Sequence, residues 1–284
     1  MSDWITLTAR AVDAPIALDD LDPARLAELS AADIGAVPVF AGRQRAALGD
    51  FFDVSGERST RVRIEGSTSL LDGVGAGMSG GELDVTGDTG AMTGAGMSGG
   101  TLRVHGSVGD DAGVGLSGGV LRIDGNAGDR LGAAAPGAAK GMSGGDIIVG
   151  GAAGDEAGAR MRRGLLVISG SVGRDAGRAM IAGSLIVLGS CGDGAGRASK
   201  RGSIVVCGAV AVPPTYRYAC TYHPPHVRLT FRYLMRRYNF AFENAVIDSV
   251  FKRYCGDGDD PGKGELLVAA PDEPPVAQSI VKGT

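Results

Sequence analysis

Eight cations fall within residues 151–202: Arg160, Arg162, Arg163, Arg174, Arg178, Arg197, Lys200 and Arg201, against four acids. Upstream, residues 62–131 hold four arginines against nine acids. A chain whose net charge is −4 thus gathers positive charge in one stretch. Guanidinium and ammonium groups so gathered suit anion binding through charge-assisted hydrogen bonds. The plainer alternative is an edge that is solvated or paired with acids. Nucleic acid is not the expected anion, because the whole chain is acidic and aromatic residues are not interleaved with these cations.

Other chemistry has little to build on. His105 reads as an outward strand residue, and His223 and His226 belong to an HPPH loop; solvent-facing or loop histidines are the expectation. Cys191, Cys207, Cys220 and Cys255 show neither a C-x-x-C pair nor zinc spacing, so no metal or iron–sulfur site and four free thiols are expected. The GAGMSGG string looks like a phosphate loop, but no GKS or GKT ending and no helix follow it. No G-x-S-x-G element stands between a strand and a helix. Asp110, Asp111, Asp129, Asp155 and Asp193 fall in turns, where short acids cap backbone amides. No catalytic residue is assigned. The absence of an 18-residue apolar stretch and of a basic-plus-apolar start points to a cytoplasmic chain with no membrane partner.

The elements that position these residues repeat. Aligned on the glycine after each apolar run, Gly66, Gly87, Gly106, Gly125, Gly151, Gly170, Gly189 and Gly208 are separated by 21, 19, 19, 26, 19, 19 and 19 residues. Residues four and two before that glycine are apolar, as in Leu83/Val85, Leu102/Val104, Leu166/Ile168 and Leu185/Val187, which is strand periodicity. A unit this short cannot hold strand, helix and two turns. The expectation is all-β: a single-stranded, right-handed parallel β-helix of about 19-residue coils. Met78, Met97, Leu116, Met142, Met161 and Met180 form a second inward row, read as core filling. The segment around Leu131–Ala139 bulges from one coil.

Residues 1–60 read as a small α/β cap, with Asp22-Pro23 opening a short helix. Residues 61–220 are the repeats, 221–255 a C-terminal strand and helix, and 256–284 a flexible tail. The outward position three before each aligning glycine changes from Arg63, Asp84, Arg103 and Arg122 to Ile148, Val167, Ile186 and Val205. The second set is an apolar face that needs a cover. The cover is either a partner subunit or the chain's own C-terminal element, in which Leu234, Tyr238, Phe242, Val246, Val250 and Tyr254 recur every four residues as on an amphipathic helix. Val227–Tyr233 alternates and reads as a strand.

The ITLT strand (5–8), the turn from Val39 through Arg45, LGDFFDVSG (48–56) and the G-x-G-M-S-G-G coils resemble the C subunit of formylmethanofuran dehydrogenases and of bacterial formyltransferase/hydrolase complexes. The repeats alone also resemble the C-terminal β-helix of the glutamate synthase large subunit. The resemblance covers about residues 4–220, and the preference for Arg over Lys favours the bacterial complex. It implies a non-catalytic scaffold in one-carbon metabolism, in the oxidation of formaldehyde to formate. Its implied partners are a zinc amidohydrolase subunit, a formyltransferase subunit and a B-type subunit, with zinc held only by a partner. It also implies a methanofuran-like carrier (methylofuran), for whose polyglutamyl tail the eight cations are the candidate track. Two alternatives stay open: the C subunit of a true molybdenum or tungsten formylmethanofuran dehydrogenase, and an autonomous β-helix lyase or acyltransferase.

Overall fold

The computed structural model describes residues 4–19, 21–240, 242, 244–258 and 262–270. The first part contains β1 (Ile5–Ala9), β2 (Ile16–Ala17), α1 (Pro23–Leu26), α2 (Ala31–Gly35), β3 (Pro38–Ala41), β4 (Gln44–Ala47) and β5 (Phe52–Ser55). The repeats supply β6 (Arg61–Gly66), β7 (Leu71–Asp72), β8 (Glu82–Val85), β9 (Thr101–Val104), β10 (Val120–Ile123), β11 (Ser143–Val149), β12 (Arg163–Ile168), β13 (Ser184–Val187) and β14 (Ser203–Val206). After them come β15 (Arg217–Tyr222), α3 (Pro225–Tyr238), α4 (Asn244–Ile247), β16 (Phe251–Gly256) and β17 (Gly264–Ala269).

Thirteen of these strands make one sheet, in the order β15-β16-β17-β14-β13-β12-β11-β10-β9-β8-β6-β1-β5. It is parallel from β1 to β17 and antiparallel only at its two ends. Like faces like along it, with Leu83, Leu102, Leu121, Ile147, Leu166, Leu185 and Ile204 in register. All seven are buried. A second parallel ladder runs Thr89, Val108, Ala127, Ala153, Val172, Cys191, Val210. A third joins the turns: Ser98, Ser117 and Ser143 donate their N–H to the carbonyls of Met78, Met97 and Leu116. The expected Met/Leu row is fully buried, so successive 19-residue units stack along three lines around one core. The 26-residue step keeps register, because Asp129 still accepts the N–H of Asp155 at 2.8 Å, and the additional residues bulge out at 135–137.

The caps differ from the expected boundaries. β1 is the first member of the main sheet, its Ile5 and Leu7 lying on Val62 and Ile64, so residues 4–60 share the repeat core. α1 starts at Pro23, with Asp22 accepting the Ala24 N–H as its N-cap. At the other end Gly264–Ala269, expected within a flexible tail, is a strand stacked on β14. Its GELLVA sequence matches the strand pattern of the repeats: Leu266 continues the buried ladder above Ile204. Residues 271–284 of that tail lie outside the described residues.

Residues 225–238, read in part as a strand, form α3. Val227, Phe231, Leu234 and Tyr238 fall on one side of the helix. Asn239 ends it in the left-handed conformation, and the four-residue recurrence beyond that point runs through a short helix into β16 instead of one long helix. α3 covers the late outer face of the sheet. Ile148, Val167, Ile186 and Val205 are at most 3% exposed beneath Val227, Phe231 and Leu234, so the chain's own C-terminal element is the cover and these four residues are no open docking face. A polar pin holds the helix: Asp146 accepts from the hydroxyls of both Tyr233 and Tyr238, while Arg122 donates to the Tyr238 carbonyl. Burial first, then the Asp146 contact, pushes the Tyr238 phenol above its ordinary range.

Among the described residues no helix covers the early outer face, which is zipped by charge. Arg61 pairs with Glu82 at 3.0 Å and Arg63 with Asp84 at 3.3 Å, with Trp4 over both guanidiniums. Asp124 receives Arg103 at 2.8 Å and Arg122 at 3.0 Å, and His105 sits between Asp84 and Asp124. Burial pushes the Asp124 carboxyl up, yet the hydrogen bonds from Arg103 and Arg122 outweigh it and leave it below the usual carboxylate range. A depressed carboxyl contributes stability above its unfolded value of about 3.9 and loses it as pH falls through the lower folded value. Asp124→Asn is therefore expected to melt below the wild type at neutral pH and to converge with it as pH falls through that lower folded value. Melting curves of both proteins against pH check this, and a constant gap at every pH would count against it.

Candidate functional site

Each repeat enters its sheet strand through a turn that ends in a left-handed glycine. Gly164, Gly183 and Gly202 have φ of 97°, 102° and 98° and stand at the entry to the late strands, Gly164 as the second residue of β12. The residues before them are Arg162-Arg163, Ile181-Ala182 and Lys200-Arg201, and the β14–β17 register places Lys263 in line with Arg201. Arg162, Arg163, Lys200, Arg201 and Lys263 line a groove of about 650 Å³ whose floor is Gly164, Ala182 and Gly183. Lys140 and Ser143 continue it past Arg162 and Arg163 into a hollow of about 370 Å³.

Arg163 and Arg201 are 38 residues apart, two units, with Ala182 between them. At about 4.8 Å per strand the two positions stand about 10 Å apart, enough for an anionic group to lie between them over the small side chain. Among the described residues no carboxylate pairs with Arg162, Arg163, Arg201 or Lys263.

The other expected track residues lie elsewhere. Arg174 pairs with Asp155 at 2.8 Å, Arg178 with Glu156 at 2.9 Å and Arg197 with Asp175 at 3.2 Å. Arg178 and Arg197 do stack as equivalents, but an acid from the preceding repeat stands by each, so this edge is the acid-paired kind. The Arg174 backbone N–H, then its guanidinium, holds the Asp155 carboxyl below the usual range. Arg160 reaches toward the Ala138 carbonyl under the inserted loop, where a second hollow of about 430 Å³ includes Arg130 and Arg178. The eight cations thus separate: Arg162, Arg163, Lys200 and Arg201 share the groove, and Arg160, Arg174, Arg178 and Arg197 do not.

Lys140 and Lys263 escaped sequence reasoning. A signal existed for Lys263, because Lys263-Gly264 followed by apolar residues parallels Arg201-Gly202 before its own strand.

The remaining candidates are structural. Asp110, Asp129 and Asp155 each accept the backbone N–H of the equivalent residue one unit later, and Asp111 pairs with Arg130. His226 lies 3.3 Å from Glu265. Burial pushes the thiols of Cys191 and Cys207 up to about 12, which keeps them protonated and unreactive. Among the described residues no three His, Cys, Asp or Glu side chains gather as a metal site. No described helix is long and apolar enough to cross a membrane.

No protein-family model matches the chain. It is 38% identical over 71 residues to the C subunit of the formyltransferase/hydrolase complex Fhc of Methylorubrum extorquens, 25% of this chain and 27% of that one. It is 30% identical over 95 residues to the C subunit of molybdenum-containing formylmethanofuran dehydrogenase 1 of Methanosarcina barkeri, 32% of each chain. These alignments span about a third or less of the two relatives. A solved structure extends the likeness: a chain of the formyltransferase/hydrolase complex FhcABCD from Methylorubrum extorquens, in complex with methylofuran, aligns with a TM-score of 0.87 and 37% identity. That alignment covers 93% of this chain and 99% of the other. On this full-length likeness the chain belongs to the family formed by the C subunits of Fhc complexes and of formylmethanofuran dehydrogenases.

Proposed function

We propose that the chain is the non-catalytic scaffold subunit of a formyltransferase/hydrolase complex in one-carbon metabolism, and that its cationic groove holds the polyglutamyl tail of a methanofuran-like formyl carrier. The observation that carries this is the 93% alignment with a chain from a complex that contains methylofuran. In this reading the stacked units wind as a single-stranded, right-handed parallel β-helix. The rod docks a zinc amidohydrolase subunit, a formyltransferase subunit and a B-type subunit, in the cytoplasm, where the four free thiols stay reduced. Zinc belongs to a partner. The molybdenum formylmethanofuran dehydrogenase relative favours a second reading, the C subunit of such a dehydrogenase.

The unpaired cations support the tail-holding role. An oligocarboxylate lying across Arg162, Arg163, Arg201 and Lys263 exchanges solvent for several weak contacts of about 0.2–1 kcal/mol each. A tether of that kind leaves the formyl-bearing head free to visit two active sites and raises its local concentration. Charge reversal at Arg163, Arg201 and Lys263 together is expected to weaken carrier retention in the purified complex about three- to hundredfold. Reversal of the acid-paired Arg174 and Arg178 leaves it unchanged, and added salt weakens retention in the wild type. Quantifying co-purified carrier by mass spectrometry decides it: undiminished carrier in the triple variant defeats the groove assignment. A chain that assembles with no transferase or hydrolase subunit defeats the scaffold reading.

A further inference from the structure

α3 is more basic and more exposed than a cover needs to be. Its fourteen residues carry Arg228, Arg232, Arg236 and Arg237 and no acid. Beneath it the helix buries Val227, Phe231 and Leu234, and Leu229, Arg232, Tyr233 and Arg236, spaced i, i+3, i+4, i+7, form one exposed ridge, from which Tyr233 reaches back to the sheet. Leu229 is 65% exposed and Tyr233 45%, two of the six large apolar side chains that stand out from the described surface. Arg228 pairs with Asp248 and Arg237 lies over the Tyr238 ring, whereas among the described residues no acid pairs with Arg232 or Arg236.

The ridge overhangs a notch of about 400 Å³ between the helix and the sheet, whose apolar wall is Leu165, Leu229 and Tyr233 and whose polar rim is Asp146, Ser184 and Thr230. Tyr233 is fixed there by its 2.9 Å bond to Asp146. A fixed tyrosine flanked by arginines has the composition of an interface centre, and the exposed leucine beside it offers an apolar contact. Among the described residues no acid complements Arg232 or Arg236, so an acidic segment supplies the charge that this ridge lacks.

We infer that the Leu229–Arg236 ridge docks an acidic segment of another polypeptide, with an apolar side chain seated in the notch and carboxylates on Arg232 and Arg236. A nucleic acid would leave Leu229 and the notch unfilled, so the aliphatic contact favours protein. The notch adjoins the carrier groove at Gly164, but neither Arg232 nor Arg236 lines that groove, and the ridge names no activity.

The test keeps the full chain in its native complex. A photo-crosslinking residue, p-benzoylphenylalanine, replaces Leu229, whose exposure lets the chain fold around it. After irradiation, mass spectrometry identifies the joined peptide. The expected product is a segment of a different polypeptide with more acids than bases around an apolar residue. Joining to residues 271–284, to any other part of this sequence, to nucleic acid, to a basic or neutral segment, or to nothing overturns the inference. A second arm, Arg232→Glu with Arg236→Glu, is expected to weaken retention of that polypeptide about tenfold or more in native mass spectrometry, as loss of a central anchor does. Retention of it at the wild-type level likewise overturns the inference. Carrier content stays normal in this double variant, so failure here is distinguishable from failure of the groove assignment.

Discussion

Phe231→Ala is expected to destabilise the docking of α3 by about 3–5 kcal/mol, the range for emptying a buried phenylalanine site. Phe231 is fully buried within the cluster of Ile148, Val167, Ile186 and Val205, and its ring lies 4.6 Å from that of Phe242. The sheet beneath has its own inward core of Leu, Val, Ile and Met, which α3 does not touch. The loss therefore falls on the cover: α3 opens while the stacked repeats remain folded, exposing four aliphatic side chains in a row. Limited proteolysis should then cut after Arg228, Arg232 or Arg236 well below the main unfolding transition. Phe231→Leu keeps most of the volume and should stay within about 1.5 kcal/mol of the wild type. An alanine variant as protease-resistant as the wild type would show that the Asp146–Tyr233–Tyr238 pin alone holds the helix.

That cover shows what sequence pattern can and cannot deliver. Period-two apolar pairs before a fixed glycine, as in Leu185/Val187, identified the strands because the alternation of a half-buried strand is written in consecutive residues. The late apolar face was legible for the same reason, at Ile148, Val167, Ile186 and Val205. Val227–Tyr233 misled because Val227, Leu229, Phe231 and Tyr233 also alternate, and the helix is fixed by tertiary packing of residues 227, 231, 234 and 238 against that face. The last strand was obscured by Pro261 and its flanking acids and glycines, although Leu266 and Val268 carry the inward pattern. For the site, the charge count found the right stretch but not its division, because pairing depends on which residues lie 19 or 22 positions apart. Arg178 meets Glu156 across 22 residues and Arg174 meets Asp155 across 19. Arg163 and Arg201 have Ala182 between them, and the small side chain leaves the groove open.

The glycine that closes each repeat carries the second large effect. Gly119 has φ of 80°, and a Cβ there would lie 2.7 Å from the Gly99 oxygen and 2.8 Å from the Gly100 oxygen of the preceding unit. The Gly100 oxygen is already committed, accepting the Val120 N–H at 3.0 Å, so the unit below cannot yield without losing a ladder bond. Neighbouring glycines separate the two contributions. Gly115 has φ of 68° with nothing within 4 Å of its would-be Cβ, whereas Gly118 has no positive φ but would meet the Ser98 oxygen at 2.3 Å. Gly115→Ala should then show only the left-handed backbone penalty, about 1 kcal/mol. Gly119→Val adds β-branching and the clash, and should exceed the 1–3 kcal/mol range of backbone strain alone. Gly145→Val should behave as Gly119→Val does, its Cβ falling 2.6 Å from the Gly119 oxygen. The same position in later units is Gly164 and Gly183, which line the cationic groove beside Ala182, so the residue type that permits close stacking also leaves the groove floor open. Thermal unfolding of these variants ranks them, and a Gly119→Val protein that melts with Gly115→Ala would mean that the units can part by an ångström at no measurable loss, removing the physical reason for glycine at this corner.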